Sequence, residues 1–198
     1  MKTTTKTARG IGNFFGIRDI IFMIIDKFEG RWRFLSNFHP CEVEHQGIVY
    51  PSVEHYYVAM KCNNEQQLSG RHYTIGDFRE MIARTPSAAV VKSVGAKIKL
   101  RKDWSEKKLD FMLYGVREKF KDPALRELLL STEDAVLIEG NDWNDKFWGV
   151  CRGKGLNHLG RILMRVRKEI LEEEAGPAPE ERPRSLDDFF RQAGQSNK

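Results

Sequence analysis

The chain has 198 residues, of which 40% are hydrophobic and 31% are charged, and this is ordinary globular composition. Its three cysteines are widely spaced and contain no Cys-x-x-Cys pair, which argues against a zinc site or a disulfide framework. The apolar segment 20–25 is too short to span a membrane, which needs about 20 residues. We therefore expect a cytoplasmic protein with reduced thiols. The formal net charge of +5 suits a polyanionic ligand, although many solvated surfaces are equally basic.

The two ends differ in composition from the centre. Residues 1–19 predict a flexible arm, and residues 172–198, which contain three prolines, predict a flexible tail. In the tail, Ser185 is a possible N-cap, and Leu186, Phe189 and Phe190 follow it at helical spacing. This segment could form a short helix that docks on a partner, or it could remain loosely packed. Between the ends, residues 20–171 predict one domain.

The first half of this domain is predicted to contain strands and short helices. The apolar segment 20–25 predicts a buried strand, and Gln46-Gly47 predicts the turn of a hairpin. Ser52 and Asp77 are predicted N-caps, and Thr85-Pro86 is a further start signal with proline at the first helical position. The hairpin strands are 41–45 and 48–50, and the helices run from Ser52 to about residue 62, over 78–84 and over 87–94.

The second half is predicted to be mainly helical. Ser105 opens a helix, and Asp122-Pro123 starts another that ends at residue 130. The core-facing stripe of the first of these is Leu109, Met112, Leu113, Val116 and Phe120. Strands are predicted at 135–139 and 147–150, and a long helix at 157–171. Helices outnumber strands and do not alternate regularly with them, so the pattern predicts an α+β fold, helix-rich with a small, mainly antiparallel sheet.

Most common catalytic templates are absent from the sequence. It contains no G-x-G-x-x-G, no P-loop and no G-x-S-x-G. His45 and His55 could be imagined as metal ligands with Glu42 and Glu44, but alternate residues of a strand point to opposite faces. We therefore predict no metal site.

Four clusters of residues could carry chemistry. In the helix that starts at Ser52, Glu54 and Lys61 share one face, where they could form a site or serve the helix dipole and solvent. The segment 139–149 is rich in Trp, Asn and Asp. This composition is found in loops that contact ligands and also in ordinary turns, where Asn and Asp bond to the backbone. Segments 152–160 and 97–104 are basic and could contact phosphates, or be solvated.

These clusters carry a resemblance to a known family. The segment RFLSNF, the stretch YPSVEHYY with a following lysine, LRKDW, LIEG, NDKFWG and GKGLNHLG occur in this order. In these motifs the chain resembles the YbiA-like or NADAR family over about three quarters of its length, with one extra residue in the loop 140–144.

The resemblance implies hydrolysis of an N-glycosidic bond without a metal or cofactor. Its substrates would be ADP-ribose linked to a base, notably guanine in nucleic acid or nucleotide, or the phosphoribosylamino-pyrimidine intermediates of riboflavin synthesis. We favour the first. An ADP-ribose- or NAD-binding module without turnover, and an adaptor acting through the tail, remain as non-enzymatic alternatives.

The site residues follow from the matched motifs and the basic segments. Glu54, Lys61 and Asp145 are the expected catalytic residues. Glu54 or Asp145 would stabilise positive charge on the ribose, while the other carboxylate or Lys61 would protonate the leaving base. Alternatively, a neutral Lys61 would form a Schiff base with an opened ribose. The expected substrate-binding residues are Asn37, His55, Trp104, Trp148, Lys97, Arg101, Arg152, Lys154 and Asn157.

Overall fold

A computed structural model describes residues 23–176 of the chain. These residues form six α-helices, one 3-10 helix and eight short strands. Contacts divide the described residues into two units, and the division falls after Arg167, inside the last helix. The predicted arm, residues 1–19, and residues 177–198 of the predicted tail, with Phe189 and Phe190, lie outside the described residues.

The strands form four separate pairs, two parallel and two antiparallel, instead of the mainly antiparallel sheet that the sequence predicts. Each strand has only two or three residues, which offers few backbone groups to a third partner. The parallel pairs are β1 (Ile24–Ile25) with β6 (Val136–Leu137) and β7 (Gly140–Asn141) with β8 (Val150–Cys151). The antiparallel pairs are β2 (Val43–His45) with β3 (Ile48–Tyr50) and β4 (Gln66–Leu68) with β5 (Arg71–Tyr73).

The predicted hairpin is confirmed, and the later strands are corrected. Gln46 and Gly47 both have positive φ, 53° and 77°, as a two-residue hairpin turn with right-handed strand twist requires. The strand predicted at 135–139 shrinks to β6. The strand predicted at 147–150 is wrong except for its last residue, because the Asp145 side chain accepts hydrogen bonds from two successive backbone N–H groups and turns the chain there.

The helices have the following bounds: α1 Val53–Met60, α2 Ile75–Arg84, α3 Ala88–Gly95, α4 Trp104–Lys119, α5 Pro123–Leu130 and α6 His158–Ala175. The predicted N-cap Ser52 and the predicted helix start at Asp122-Pro123 are confirmed, since the side chains of Ser52 and Asp122 accept hydrogen bonds from backbone N–H groups three residues later.

Three helices begin at a residue other than the predicted one. Thr74 caps α2 instead of Asp77, which lies in the first turn and accepts a hydrogen bond from the Thr74 hydroxyl at 2.7 Å. Helix α3 begins after Ser87, which leaves Pro86 outside it. Helix α4 begins at Trp104, one residue before the predicted start at Ser105. The core-facing stripe of α4 contains fewer residues than predicted, because Leu109 is 36% exposed.

The core surrounds helix α1. This helix packs against α2, α3 and α4, and all eight of its residues are buried. Among them is one carboxylate, Glu54, so a charged group lies within the most buried helix of the fold. The α+β prediction is confirmed. Within residues 23–176, no helix is long and apolar enough to cross a lipid bilayer.

Candidate active site

A cavity of about 680 Å³ lies beside α1. Its walls come from the 3-10 helix Gly30–Leu35 and the loop after it, from α1 and α3, and from the loop that follows β7. A cavity of this volume is large enough for a nucleotide-sized ligand. The wall therefore combines segments that are far apart in the sequence.

Glu54 enters the cavity from the first turn of α1. Its side chain is buried, and its backbone N–H donates a hydrogen bond to the carbonyl of Asn37 at 3.0 Å. Burial raises the pKa of Glu54, while the positive charges of Lys61 and Lys92 oppose that rise. Asp145 raises the pKa further through charge repulsion. This carboxylate can therefore hold or release a proton closer to neutral pH than an exposed one.

Lys61 enters from the C-terminal end of the same helix. Its Nζ donates a hydrogen bond to the carbonyl of Gly95 at 3.3 Å. Burial lowers the pKa of Lys61, and the Glu54 charge opposes the change. A Cβ atom at Gly95 would lie only 2.8 Å from a Val58 methyl group, so glycine is what allows α3 to approach α1 this closely. The lysine is held between two closely packed helices.

Asp145 is placed by a turn that its own side chain closes. Its Oδ1 accepts hydrogen bonds from the N–H groups of Phe147 and Trp148, at 3.1 and 2.9 Å. The side chain of Asn141 closes the base of the loop by bonding to both the backbone carbonyl and the N–H of Asp145, at 2.8 and 3.0 Å. The Asp145 carboxylate therefore faces the cavity from a braced turn.

A third carboxylate, Glu139, lines the cavity just before β7. Its Oε2 atom is buried and has no hydrogen-bond partner among residues 23–176. Burial, followed by repulsion from Asp145, raises the pKa of Glu139 to about 7. Asn157 fixes the backbone here, since its side chain accepts from the Glu139 N–H and donates to the Leu137 carbonyl, at 3.0 and 2.9 Å.

Aromatic rings and two cations complete the wall. The Tyr57 and Trp148 rings are nearly perpendicular, with 5.4 Å between their centroids, and both residues line the cavity. Trp104 packs behind Tyr57 at 5.0 Å. Arg33 and Lys92 bring positive charge to the wall. The cavity thus offers flat apolar faces, carboxylates and cations, which together suit a base, a ribose and a phosphate.

The structure brings five of the twelve predicted site residues into this cavity. These are Asn37, Glu54, Lys61, Asp145 and Trp148. The other seven lie outside its lining: His55, Trp104, Lys97, Arg101, Arg152, Lys154 and Asn157.

Several residues outside the cavity have partners elsewhere in the fold. The His55 ring bonds to the Ser52 hydroxyl at 2.6 Å and to the Thr85 carbonyl at 2.8 Å. The Arg101 guanidinium is held by both oxygens of Asp103, at 2.6 and 2.9 Å. The three lysine and arginine side chains that remain are exposed: Lys97, Arg152 and Lys154.

The cavity lining also contains charged and aromatic residues that are absent from the predicted site residues, among them Arg33, Tyr57, Lys92, Glu139 and Trp143. Glu139 and Arg33 stand in motifs that carry the family resemblance, LIEG and RFLSNF, so their positions in the sequence were a usable signal. Lys92 had no such signal, because it lies on α3 among ordinary helix-forming residues.

A second cavity, of about 720 Å³, lies between β5 and α2. Its carboxylates, Asp77 and Glu80, are exposed, and Glu80 is paired with Arg84 at 2.6 Å. It therefore lacks the buried acids of the first cavity. Within residues 23–176 there is no group of three or more His, Cys, Asp or Glu side chains that could hold a metal ion.

Comparison with known proteins identifies the family. Residues 25–171 match the NADAR domain family. The chain belongs to the NADAR family. This NADAR chain is 38% identical over 139 residues to an N-glycosidase from Nostoc punctiforme, covering 68% of the chain and 83% of that protein. It is 36% identical over 139 residues to N-glycosidase YbiA of Escherichia coli, covering 68% of the chain and 79% of that protein.

Longer relatives and a solved structure also match. The NADAR chain is 36% identical over 143 residues to a riboflavin biosynthesis protein of Vibrio vulnificus, covering 70% of the chain but only 36% of that longer protein. The NMR structure of E. coli YbiA superposes with a TM-score of 0.64 and 31% identity, covering 81% of this chain and 90% of that one. The predicted family and fold are thereby confirmed.

Proposed function

We propose that this NADAR protein is an N-glycosidase that hydrolyses the bond between a base and C1′ of a ribose bearing phosphate or ADP. The observation that carries the proposal is the cavity wall itself, where Glu54, Asp145 and Glu139 surround one space together with Lys61. Buried acids with raised pKa values are the usual means of supplying both a carboxylate and a proton at neutral pH. The names of the N-glycosidase relatives support the same reaction class.

Breaking the C1′–N bond builds positive charge on the ribose. A carboxylate beside C1′ stabilises this charge and takes a proton from the attacking water, whose oxygen then bonds to C1′. Glu54 and Asp145 are the two residues proposed for this role. Glu54 is the better-supported candidate, because one oxygen of the Asp145 carboxylate already accepts hydrogen bonds from two backbone N–H groups.

The departing base must gain the proton that balances the reaction. Glu139 is the group proposed to donate it, because a pKa of about 7 leaves a large protonated fraction at neutral pH. The lowered pKa of Lys61 supports either role expected for it, as a proton donor or as a neutral amine that attacks the opened ribose. The base itself would lie against the rings of Tyr57 and Trp148.

For the substrate, we propose ADP-ribose attached to guanine in nucleic acid or nucleotide. The volume of the cavity and the cations Arg33 and Lys92 support a ligand with more than one charged group. The phosphoribosylamino-pyrimidine intermediates of riboflavin synthesis are the second candidate. They are favoured by relatives that are named riboflavin biosynthesis proteins.

The test is to incubate the purified protein with an ADP-ribosylated guanine oligonucleotide and, separately, with the phosphoribosylamino-pyrimidine, and to follow products by mass spectrometry. Glu54→Gln removes the proposed carboxylate and should lower kcat by at least a hundredfold. Glu65→Gln is the matched control, because Glu65 is an exposed carboxylate that pairs with His72 on the surface.

Restored guanine with free ADP-ribose supports the first substrate, and ribose 5-phosphate released only from the pyrimidine supports the second. Binding of ADP-ribose without cleavage of either substrate would indicate that the protein is a binding module and not an enzyme. A Glu54→Gln variant as active as the Glu65→Gln control would remove Glu54 from the reaction.

A further inference from the structure

Trp143 is the most exposed large apolar side chain among the described residues, at 62%, and it lines the cavity. An indole ring left in water loses the free energy that burial of so large an apolar surface would provide. A ring placed at the edge of a cavity gains that free energy when a flat ligand covers it. Trp143 therefore has the position of a binding surface and not of a core residue.

A cation lies beside this ring. The Nζ atom of Lys92 is 5.5 Å from the centroid of the Trp143 ring and 5.6 Å from the centroid of the Phe38 ring. Both distances are within the range of a cation–π interaction. Trp143, Lys92 and Phe38, which we call the mouth cluster, come from the β7–β8 loop, α3 and the loop after the 3-10 helix.

The backbone under Trp143 is braced. Asn141 and Asp145 lie two residues before and two residues after Trp143 in the chain. Two hydrogen bonds between the Asn141 side chain and the Asp145 backbone close the turn at its base. Asn144, the residue after the tryptophan, has a positive φ of 65°, which asparagine tolerates better than most residues. The ring is therefore held by a closed turn, and ligand binding costs less conformational entropy than it would for a ring on an open loop.

The chemistry of the mouth cluster matches one kind of group. Aromatic faces stack on nucleobases of any identity, and an ammonium beside them pairs with a phosphate. Tyr57 and Trp148 already offer rings for the base near Glu54, so the mouth cluster serves another ring.

We propose that the mouth cluster is a subsite for a second nucleobase and its phosphate, beyond the ribose whose bond is broken. The inference rests on the proposed function only in placing that ribose beside Glu54. The nucleobase–phosphate unit comes from the far half of an ADP-ribose group or from the neighbouring nucleotide of a strand. The two sources share this chemistry and can be separated by choice of ligand.

The experiment measures binding by calorimetry, without turnover, for the full chain and for Trp143→Ala. The ligands are ADP-ribose, ribose 5-phosphate and an unmodified single-stranded DNA 12-mer. Tyr73→Ala is the matched control, because Tyr73 also carries a cation over its ring, Arg71 at 5.2 Å, but does not line this cavity. Trp143→Phe retains a ring and should keep most of the affinity.

Trp143→Ala should weaken ADP-ribose about tenfold and leave ribose 5-phosphate unchanged, while Tyr73→Ala changes neither. A loss confined to the 12-mer also supports the subsite and assigns it to a neighbouring nucleotide. Equal losses for ribose 5-phosphate and ADP-ribose, no loss with any ligand, or no binding of ADP-ribose and the 12-mer by the full chain would overturn it. If no substrate is cleaved but Trp143→Ala still weakens ADP-ribose selectively, the proposed function fails and the subsite stands.

Discussion

Glu54 and Glu139 lie where folding alone would favour apolar side chains. Glu54 belongs to a helix whose residues are all buried, and the Oε2 atom of Glu139 has no hydrogen-bond partner within residues 23–176. Burying a charge lowers stability unless it is paired and hydrogen-bonded. Both carboxylates therefore reduce the free energy of unfolding, and their raised pKa values suit the acid–base roles proposed for them.

The stability of the protein should depend on pH through Glu139. The pKa of this group is about 7 in the folded protein and 4.5 when it is unperturbed. Because folding raises the pKa, the contribution of Glu139 to stability is full below pH 4.5 and is lost as the pH rises through 7. Glu139→Gln stays neutral, so its advantage in free energy of unfolding over the natural chain should grow with pH, to about 3 kcal/mol at most.

Urea unfolding at pH 5, 6, 7 and 8, followed by circular dichroism, measures this difference. Glu65→Gln is again a suitable control, since Glu65 lies on the surface. Its difference from the natural chain should stay nearly constant with pH. A constant difference for Glu139→Gln as well would mean that Glu139 ionises in the folded protein as it does in water.

At the scale of elements, the site depends on how one loop is tied between two helices. Lys119 of α4 is 1% exposed, and its Nζ donates a hydrogen bond to the Ser36 carbonyl at 2.8 Å. Burial lowers the pKa of Lys119 to about 8. The carbonyl of the next residue, Asn37, accepts the backbone N–H of Glu54. Helix α4 thus holds the loop that helps to position the start of α1.

Lys119→Met should lower activity more than stability. The change leaves the Ser36 carbonyl without its donor, at a cost of about 1–3 kcal/mol, but it also removes a buried ammonium group, and the two effects oppose each other. We expect a change in Tm of a few degrees and a loss in kcat/KM of about tenfold, because the loop beside Glu54 is displaced. Lys107→Met, an exposed change on the same helix, is the control. Full activity in Lys119→Met would show that the loop keeps its place without the lysine.

Elements with local signals could be predicted from the sequence. Ser52 and Asp122 each cap a helix through a bond to an N–H only three residues away, so their effect can be recognised within a few letters of sequence. The turn at Gln46-Gly47 is equally local. The strand predicted at 147–150 was wrong because apolar residues there suggested a strand, whereas the side chain of Asp145 sets the backbone.

The site was only partly predictable, for a related reason. Glu54 and Lys61 share a helix, so their proximity follows from helical spacing. Lys92 lines the cavity from α3, and the close packing of α3 against α1 that Gly95 allows is a tertiary contact, which sequence spacing does not reveal. Arg101 was expected to bind phosphate from the basic composition around it, but composition does not reveal that Asp103 holds its guanidinium.

Considered as a whole, the molecule places acids and bases unevenly. The chain has a formal net charge of +5, yet four carboxylates line the cavity: Glu29, Glu54, Glu139 and Asp145. The cations that face them are Arg33, Lys61 and Lys92. A net positive charge favours the approach of an anionic ligand, and in the proposed function the cavity then places that ligand beside buried carboxylates.

The raised pKa of Glu139 and the lowered pKa of Lys61 have a thermochemical consequence. A bound phosphate would raise both pKa values, and because the pKa of Glu139 is about 7, this carboxyl group should take up protons from the buffer near pH 7. The heat of ADP-ribose binding should therefore be less exothermic in Tris than in PIPES, because Tris releases its proton at the greater enthalpic cost. Glu139→Gln should reduce the difference between the heats in the two buffers. Equal heats in both buffers for the natural chain would contradict the expected proton uptake. Binding at this site would then be measurable as a rise in the pH of an unbuffered solution.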